Sequence, residues 1–217
     1  MAVITLSREK GSGGRKIAEH VAETLGYDCA DKGLIVEVAR ELGVSEAAVE
    51  QFDEHEAYSP GFRAWLKELL TGNDPVFTSE SAPVFWPTQS IPTLVPSPQL
   101  QGEHILDRSE YLEALKSIID RINKRGNAVI VGRGSQIILA NDPEVLHVRI
   151  ISPLEVRCER VMAAEKIELD DARKCVLETD RLRARYIHER YHADWADPTL
   201  YHMVINTGLC SIEKAGR

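Results

Sequence analysis

The chain has few of the features that staple, anchor or coat. Its four cysteines (Cys29, Cys158, Cys175 and Cys210) are scattered over 217 residues, with no CxxC pair and no histidine at zinc-ligand spacing. Neither a disulfide framework nor a structural metal is indicated, and a reducing cytoplasm is the expected compartment. No apolar run approaches the roughly 18 residues a membrane span needs, and residues 1–6 are too short an apolar stretch for a signal sequence. Positive charge is also scarce: 26 Lys and Arg against 34 Asp and Glu leave a net charge of −8. That field repels phosphate backbones and argues against a nucleic-acid coat, so an anionic ligand would need a local basic pocket.

What is there reads as a folded α/β protein. Hydrophobic residues make up 43% and charged residues 28%, close to the globular average. Residues 3–6, 128–131, 145–151 and 203–206 are short apolar, mostly β-branched runs without clean alternation, as strands buried on both faces require. Between them come helical stripes. Ile17, Ala18, Val21, Ala22 and Leu25 form one, stopped by Gly26, and Leu34, Ile35, Val38, Ala39 and Leu42 form another, stopped by Gly43. Ser45 caps a third that runs toward His55, and Phe62, Trp65, Leu66 and Leu69 make a core-type stripe. Tyr111, Leu112, Leu115, Ile118, Ile119 and Ile122 follow, then a helix from Pro153 to about Ala164 and a long one over about 169–191. Ser152-Pro153-Leu154-Glu155 has the form of a capping box, and residues 27–29 fit either a short edge strand or a loop. This alternation predicts a parallel sheet flanked by helices.

Six of the ten prolines fall in residues 73–103, among Ser, Thr and Gln. No helix or central strand survives that density. The segment is expected to be an insert within one domain spanning 1–217, serving as a lid, a mobile loop, or an arm that holds a partner or a second copy in a homodimer.

The first strand runs into Ser7-Arg8-Glu9-Lys10-Gly11-Ser12-Gly13-Gly14-Arg15-Lys16, and a helix follows. A glycine-rich turn in that place gathers backbone N–H groups at a helix start and favours phosphate. Arg8, Lys10, Arg15 and Lys16 add positive charge, and a plain tight turn is the alternative. The loop is not GxxxxGK[ST]: with Gly13 as the last glycine, Gly14 stands at the lysine position and Arg15 at the hydroxyl position. Nor is it GxGxxG, since Lys16 stands where the third glycine would be, which argues against a dinucleotide dehydrogenase.

Together with Val129-Ile130-Val131-Gly132-Arg133-Gly134, Asp194-Trp195-Ala196-Asp197-Pro198 and Tyr201-His202-Met203-Val204-Ile205-Asn206-Thr207-Gly208, that loop resembles the cytidylate kinase-like family, a divergent branch of the P-loop nucleoside monophosphate kinases. The resemblance covers about 2–56 and 105–215. It implies a P-loop NTPase fold, ATP with Mg²⁺ as donor, a pyrimidine monophosphate such as CMP as acceptor, and no resident metal. On this resemblance Gly11, Ser12, Gly13, Gly14 and Lys16, with Arg8, hold donor phosphates. Arg15 or Arg8 replaces the missing lysine. Asp31 and Arg133 serve the acceptor. The chain departs from the family pattern at Gly134, where aspartate is usual, and at Val36-Glu37, where Tyr-Arg is expected.

Four arginines (Arg181, Arg183, Arg185 and Arg190) crowd the long helix and can clamp phosphates. The resemblance makes them lid arginines. Arg181 and Arg185 would then be catalytic, and Asp180 would orient Arg181 or contact the acceptor. An exposed helix face paired with Glu178, Asp180 and Glu189 is the alternative. Arg157 and Arg160 also share a helix face. His188 and His192, four apart, read as solvated; Asp194 and Asp197 read as turn carboxylates capping nearby N–H groups; Cys29 and Cys158 read as core. A catalytically degenerate nucleotide- or anion-binding protein of kinase ancestry stays open beside the phosphotransferase, because the loop lacks its lysine and hydroxyl.

Overall fold

The computed structural model describes residues 2–31, 33–43 and 108–216. The proline-rich insert, the stripe around Trp65 and the helix expected after Ser45 lie outside the described residues. In chain order the elements are β1 (Val3–Arg8), α1 (Gly14–Leu25), β2 (Asp28–Ala30) and α2 (Gly33–Leu42). After the segment not described come α3 (Arg108–Arg125), β3 (Ala128–Val131), α4 (Ser135–Ile138) and β4 (Val145–Ile151). Then follow α5 (Leu154–Glu165), α6 (Leu169–Tyr191), a 3₁₀ turn (Pro198–Leu200), β5 (Met203–Asn206) and α7 (Ile212–Ala215).

The five strands form one parallel sheet in the order β2-β3-β1-β4-β5. Helices cover both faces, which is why the strands lack a polar face. Val3, Ala128, Ile130 and Val145 point to one side and pack with Leu34, Val38, Leu115 and Ile118 of α2 and α3. Leu6, Val129, Val131, Val148 and Ile150 point to the other and pack with Ile17, Ala18 and Ala22 of α1. The period-2 alternation is thus present, but both sides of it are apolar. Residues 27–29 resolve into the edge strand β2, where Cys29 is exposed rather than in the core, while Cys158 is buried as expected.

α5 begins without the expected capping box. Its start shows no side-chain cap, and among the described residues the Ser152 hydroxyl has no hydrogen-bond partner. Instead the Ser152 amide donates to Glu9 Oε2 at 3.1 Å, so a carboxylate from the glycine loop does what Glu155 would have done. Asp194 and Asp197 do cap neighbouring amides, accepting from Ala196 N at 2.9 Å and Thr199 N at 2.8 Å.

Candidate functional site

The carboxyl ends of β1, β3 and β4 meet the glycine loop, α6 and the turn containing Trp195. The loop is fixed from inside by short bonds: Glu9 N donates to Ile150 O at 3.1 Å, and Ser12 Oγ donates to Glu9 O at 2.8 Å. Gly13, with φ 83°, is the residue that turns the chain into α1, and a Cβ there would lie 2.5 Å from Ile212 Cδ1. The first turn of α1 has neither a side-chain cap nor an acidic residue. Its amides and the positive end of its dipole are therefore left to an outside anion.

Anion binding by this loop is already visible within the chain. Asp180 Oδ1 accepts from the Lys10 amide at 2.8 Å, its other oxygen bonds Arg157 Nη1, and Arg183 Nη1 stands 3.8 Å away. Arg157 ties the region together. It also donates to Ser152 O at 2.9 Å and Lys10 O at 3.2 Å, and lies 3.3 Å from Glu9 Oε2. Its charge is thus met by two carboxylates. Arg160 differs: it donates to Thr207 Oγ1 and Thr207 O, each at 2.9 Å, and approaches Ser12 O at 3.4 Å and Gly11 O at 3.5 Å. All these partners are neutral oxygens, and among the described residues no carboxylate forms an ion pair with Arg160.

Behind the loop, Arg149 is buried between Trp195 and Tyr201, with its guanidinium carbon 4.2 Å and 5.5 Å from the two ring centres. Trp195 Nε1 donates to Ser7 Oγ at 2.8 Å. The Asp-Trp-Ala-Asp-Pro motif therefore anchors the end of β1 from which the loop departs.

On the β2 and β3 side, Asp31 lies 3.8 Å from Arg8 and 3.5 Å from Arg15, and Arg15 also bonds Glu19 at 3.0 Å. The Glu19 bond, ahead of Asp31, holds the Arg15 pKa above its usual value. Arg133 is 1% exposed; burial first, and the like charge of Arg8 next, push its pKa down to about 10. A small cavity of about 10 Å³ lies beside it, lined by Arg8, Gly132, Gly134, Arg183 and Trp195 among others.

Arg8, Arg15 and Asp31 are thus brought together, with Arg133 beside Arg8. Gly11, Ser12, Gly13 and Gly14 form the loop itself, and Lys16 is exposed on the first turn of α1. The expectations for α6 need correction. Asp180 does not orient Arg181; it reaches the glycine loop. Arg181 pairs with Glu178 at 2.9 Å and Arg185 lies 3.7 Å from Glu189, both arginines being more than half exposed on the outer face. With 3.6 residues per turn, the buried stripe runs through Val176, Thr179, Arg183 and Ile187, which turns 181 and 185 outward. Arg149, Arg157, Arg160 and Glu9 carry no site role in the sequence reading, and Arg183 enters it only as one of four lid arginines. The shared helix face of Arg157 and Arg160 was the available signal, but nothing local says that α5 lies against a loop about 150 residues earlier.

The loop offers amides at the start of α1, and its Lys10 amide, four residues before that helix, already holds a carboxylate, with guanidinia at its rim. Among the described residues no dedicated Mg²⁺ ligand stands at the loop. Position 15 is arginine, the Ser12 hydroxyl is spent on Glu9 O, and Glu9, Asp31 and Asp180 each face arginines. No cluster of three or more His, Cys, Asp or Glu with metal-binding geometry occurs among the described residues. In the same residues no helix is long and apolar enough to cross a membrane.

Comparison with known proteins agrees with the resemblance read from the sequence. The model of the cytidylate kinase-like family matches residues 3–209. A protein named cytidylate kinase from Methanocaldococcus jannaschii is 34% identical over 122 residues, covering 52% of this chain and 68% of that protein. Another of that name, from Staphylothermus marinus, is 25% identical over 217 residues, covering 99% of this chain and 92% of that one. A 100-residue stretch is 35% identical to a protein named uronate isomerase from Corynebacterium glutamicum; it covers 46% of this chain but only 19% of that protein. Among solved structures, an uncharacterized protein from Eubacterium ventriosum shares the fold with a TM-score of 0.63 at 19% identity, covering all of this chain and 94% of that one.

Proposed function

The chain belongs to the cytidylate kinase-like family, and on that premise we propose that it transfers the γ-phosphoryl group of ATP, bound with Mg²⁺, to a nucleoside monophosphate, a CMP-like pyrimidine being favoured. The observation that carries this reading is the glycine loop that already holds an anion: a carboxylate on the Lys10 amide, with Arg157 and Arg183 beside it and Arg160 behind. Donor phosphates would lie over Gly11, Ser12, Gly13, Gly14 and Lys16. Arg160, whose hydrogen-bond partners among the described residues are all neutral oxygens, would supply the charge the missing lysine does not, with Arg15 nearby. Arg8, Asp31 and Arg133, which lie together on the β2 and β3 side, would serve the acceptor. An acceptor phosphate oxygen would attack the γ-phosphorus in line while the bond to the bridging oxygen breaks and ADP leaves. Such a transfer asks the protein for positioning and charge stabilisation rather than covalent chemistry. Arg181 and Arg185 would join only after a rearrangement of α6.

A second reading has its own support: Gly14 and Arg15 stand at the lysine and hydroxyl positions, which fits a nucleotide- or anion-binding protein without turnover. Incubation with Mg-ATP and a panel of nucleoside monophosphates separates the two. Acceptor-dependent ADP formation supports the kinase. ATP that raises the melting temperature without turnover selects the binding protein.

A further inference from the structure

The contact between Asp180 and the glycine loop joins segments 170 residues apart. A carboxylate that accepts from one loop amide and one guanidinium, with a second guanidinium 3.8 Å away, occupies the donor set a phosphoryl oxygen takes at such a loop. The contact is sheltered, since the side chain of Asp180 is 17% exposed and those of Arg157 and Arg183 are 9% and 6% exposed. Arg183 further ties α6 to the base of the loop by donating to Arg8 O at 2.9 Å. Two anions cannot share the Lys10 amide.

We propose that Asp180 is an autoinhibitory latch: its carboxylate stands in for a phosphate on the Lys10 amide, and a polyphosphate binds at this end of the loop only by displacing it. The proposal rests on the reading of the loop as a phosphate site. Its consequence is a coupling between α6 and ligand binding. The latched form excludes ligand, so apparent affinity is reduced by the fraction of molecules latched. Release frees Arg157 and Arg183 from their shared carboxylate at the moment phosphate arrives, and it leaves the Arg183 bond to Arg8 O to hold α6 at the base of the loop.

The test uses inorganic tripolyphosphate as probe, titrated calorimetrically into the full chain and into D180N. The latch predicts that D180N binds about tenfold tighter, within the usual range of couplings between sites. Glu165→Gln serves as a charge control, because Glu165 reaches Lys10 Nζ at 2.6 Å but not the amide. It should gain much less than D180N. Equal gains in the two variants, or unchanged or weaker binding by D180N, overturn the latch. A measurement on the wild-type chain covers the case in which D180N does not fold. Tripolyphosphate should move the NMR signals of both the Lys10 amide and the Asp180 side-chain carboxyl carbon. Shifts at the amides of residues 11–16 with the Asp180 carboxyl unmoved overturn the latch and keep the phosphate loop. No shift at any loop amide overturns both.

Discussion

The ring of Tyr191 occupies the space in which a side chain at Gly134 would begin. A Cβ on Gly134 would lie 2.3 Å from Tyr191 Cε2, and the Tyr191 hydroxyl donates to Arg133 O at 3.1 Å. Gly134 also has φ 72°, a left-handed backbone that costs other residues about 1–2 kcal/mol. A side chain at position 134 would therefore require the Tyr191 ring to move, and Gly134 lets that ring close against the backbone beside Arg133.

Gly134→Ala should destabilise the protein by about 2 kcal/mol or more, from backbone strain and overpacking together. Urea unfolding measures it. In a Tyr191→Ala background the steric part disappears, so a double-mutant cycle should show positive coupling. Strict additivity would contradict the contact.

Trp195→Phe keeps an aromatic ring but loses the Nε1 bond to Ser7 and weakens the face over Arg149. A loss of about 1–2 kcal/mol in unfolding free energy is expected. A change below about 0.5 kcal/mol, the scale of ordinary surface substitutions, would show that the motif does not anchor β1.

Acid should weaken the fold through His147. Its Nδ1 is 2.7 Å from Thr5 Oγ1, its ring stacks on His202 at 4.9 Å, and its amide donates to His202 Nδ1 at 2.9 Å. Burial first, then His202, lower its pKa below 6.5, against the smaller opposing pull of the Leu139 carbonyl and Asp142. The unfolded chain then binds the proton more readily. The stability contributed by neutral His147 is complete above pH 6.5 and is lost as pH falls from there through the folded-state pKa. Melting temperatures across that window should fall more steeply for wild type than for His147→Gln; parallel curves would contradict the assignment.

The two faces of α6 should respond differently. Arg181→Ala and Arg185→Ala remove exposed pairs and should change stability by about 0.5 kcal/mol or less. Arg183→Ala removes a buried guanidinium that holds Arg8 O and faces Asp180, and should cost about 3 kcal/mol. Chemical denaturation of the three variants decides it. Lost turnover with intact ATP binding in Arg181→Ala or Arg185→Ala would restore their expected catalytic role.

The strands other than β2 were legible because each is a short apolar run bounded by turn residues, and Ala128–Val131, Val145–Ile151 and Met203–Asn206 fall where the runs do. The glycine loop was legible by its place between β1 and α1. The neighbours of the loop were not. Glu9 capping α5, Asp180 on the Lys10 amide and Arg160 behind Ser12 all depend on how α5 and α6 pack, and helical periodicity gives faces without naming what they face. The same limit turned Arg181 and Arg185 outward: a cluster of arginines along one helix is spread around its circumference, and only the buried stripe says which of them looks inward.

Arg160 carries the central claim, that this loop binds donor phosphates with charge supplied from α5 in place of a loop lysine. The deciding measurement is the calorimetric dissociation constant of Mg-ATP for wild type and for Arg160→Ala, with Thr207→Val as a control for bracing of the loop. Losing charge-assisted bonds worth about 1.5–3 kcal/mol should weaken Mg-ATP about 10- to 100-fold in Arg160→Ala, with a smaller change in Thr207→Val. Unchanged affinity in a folded Arg160→Ala protein would contradict the account.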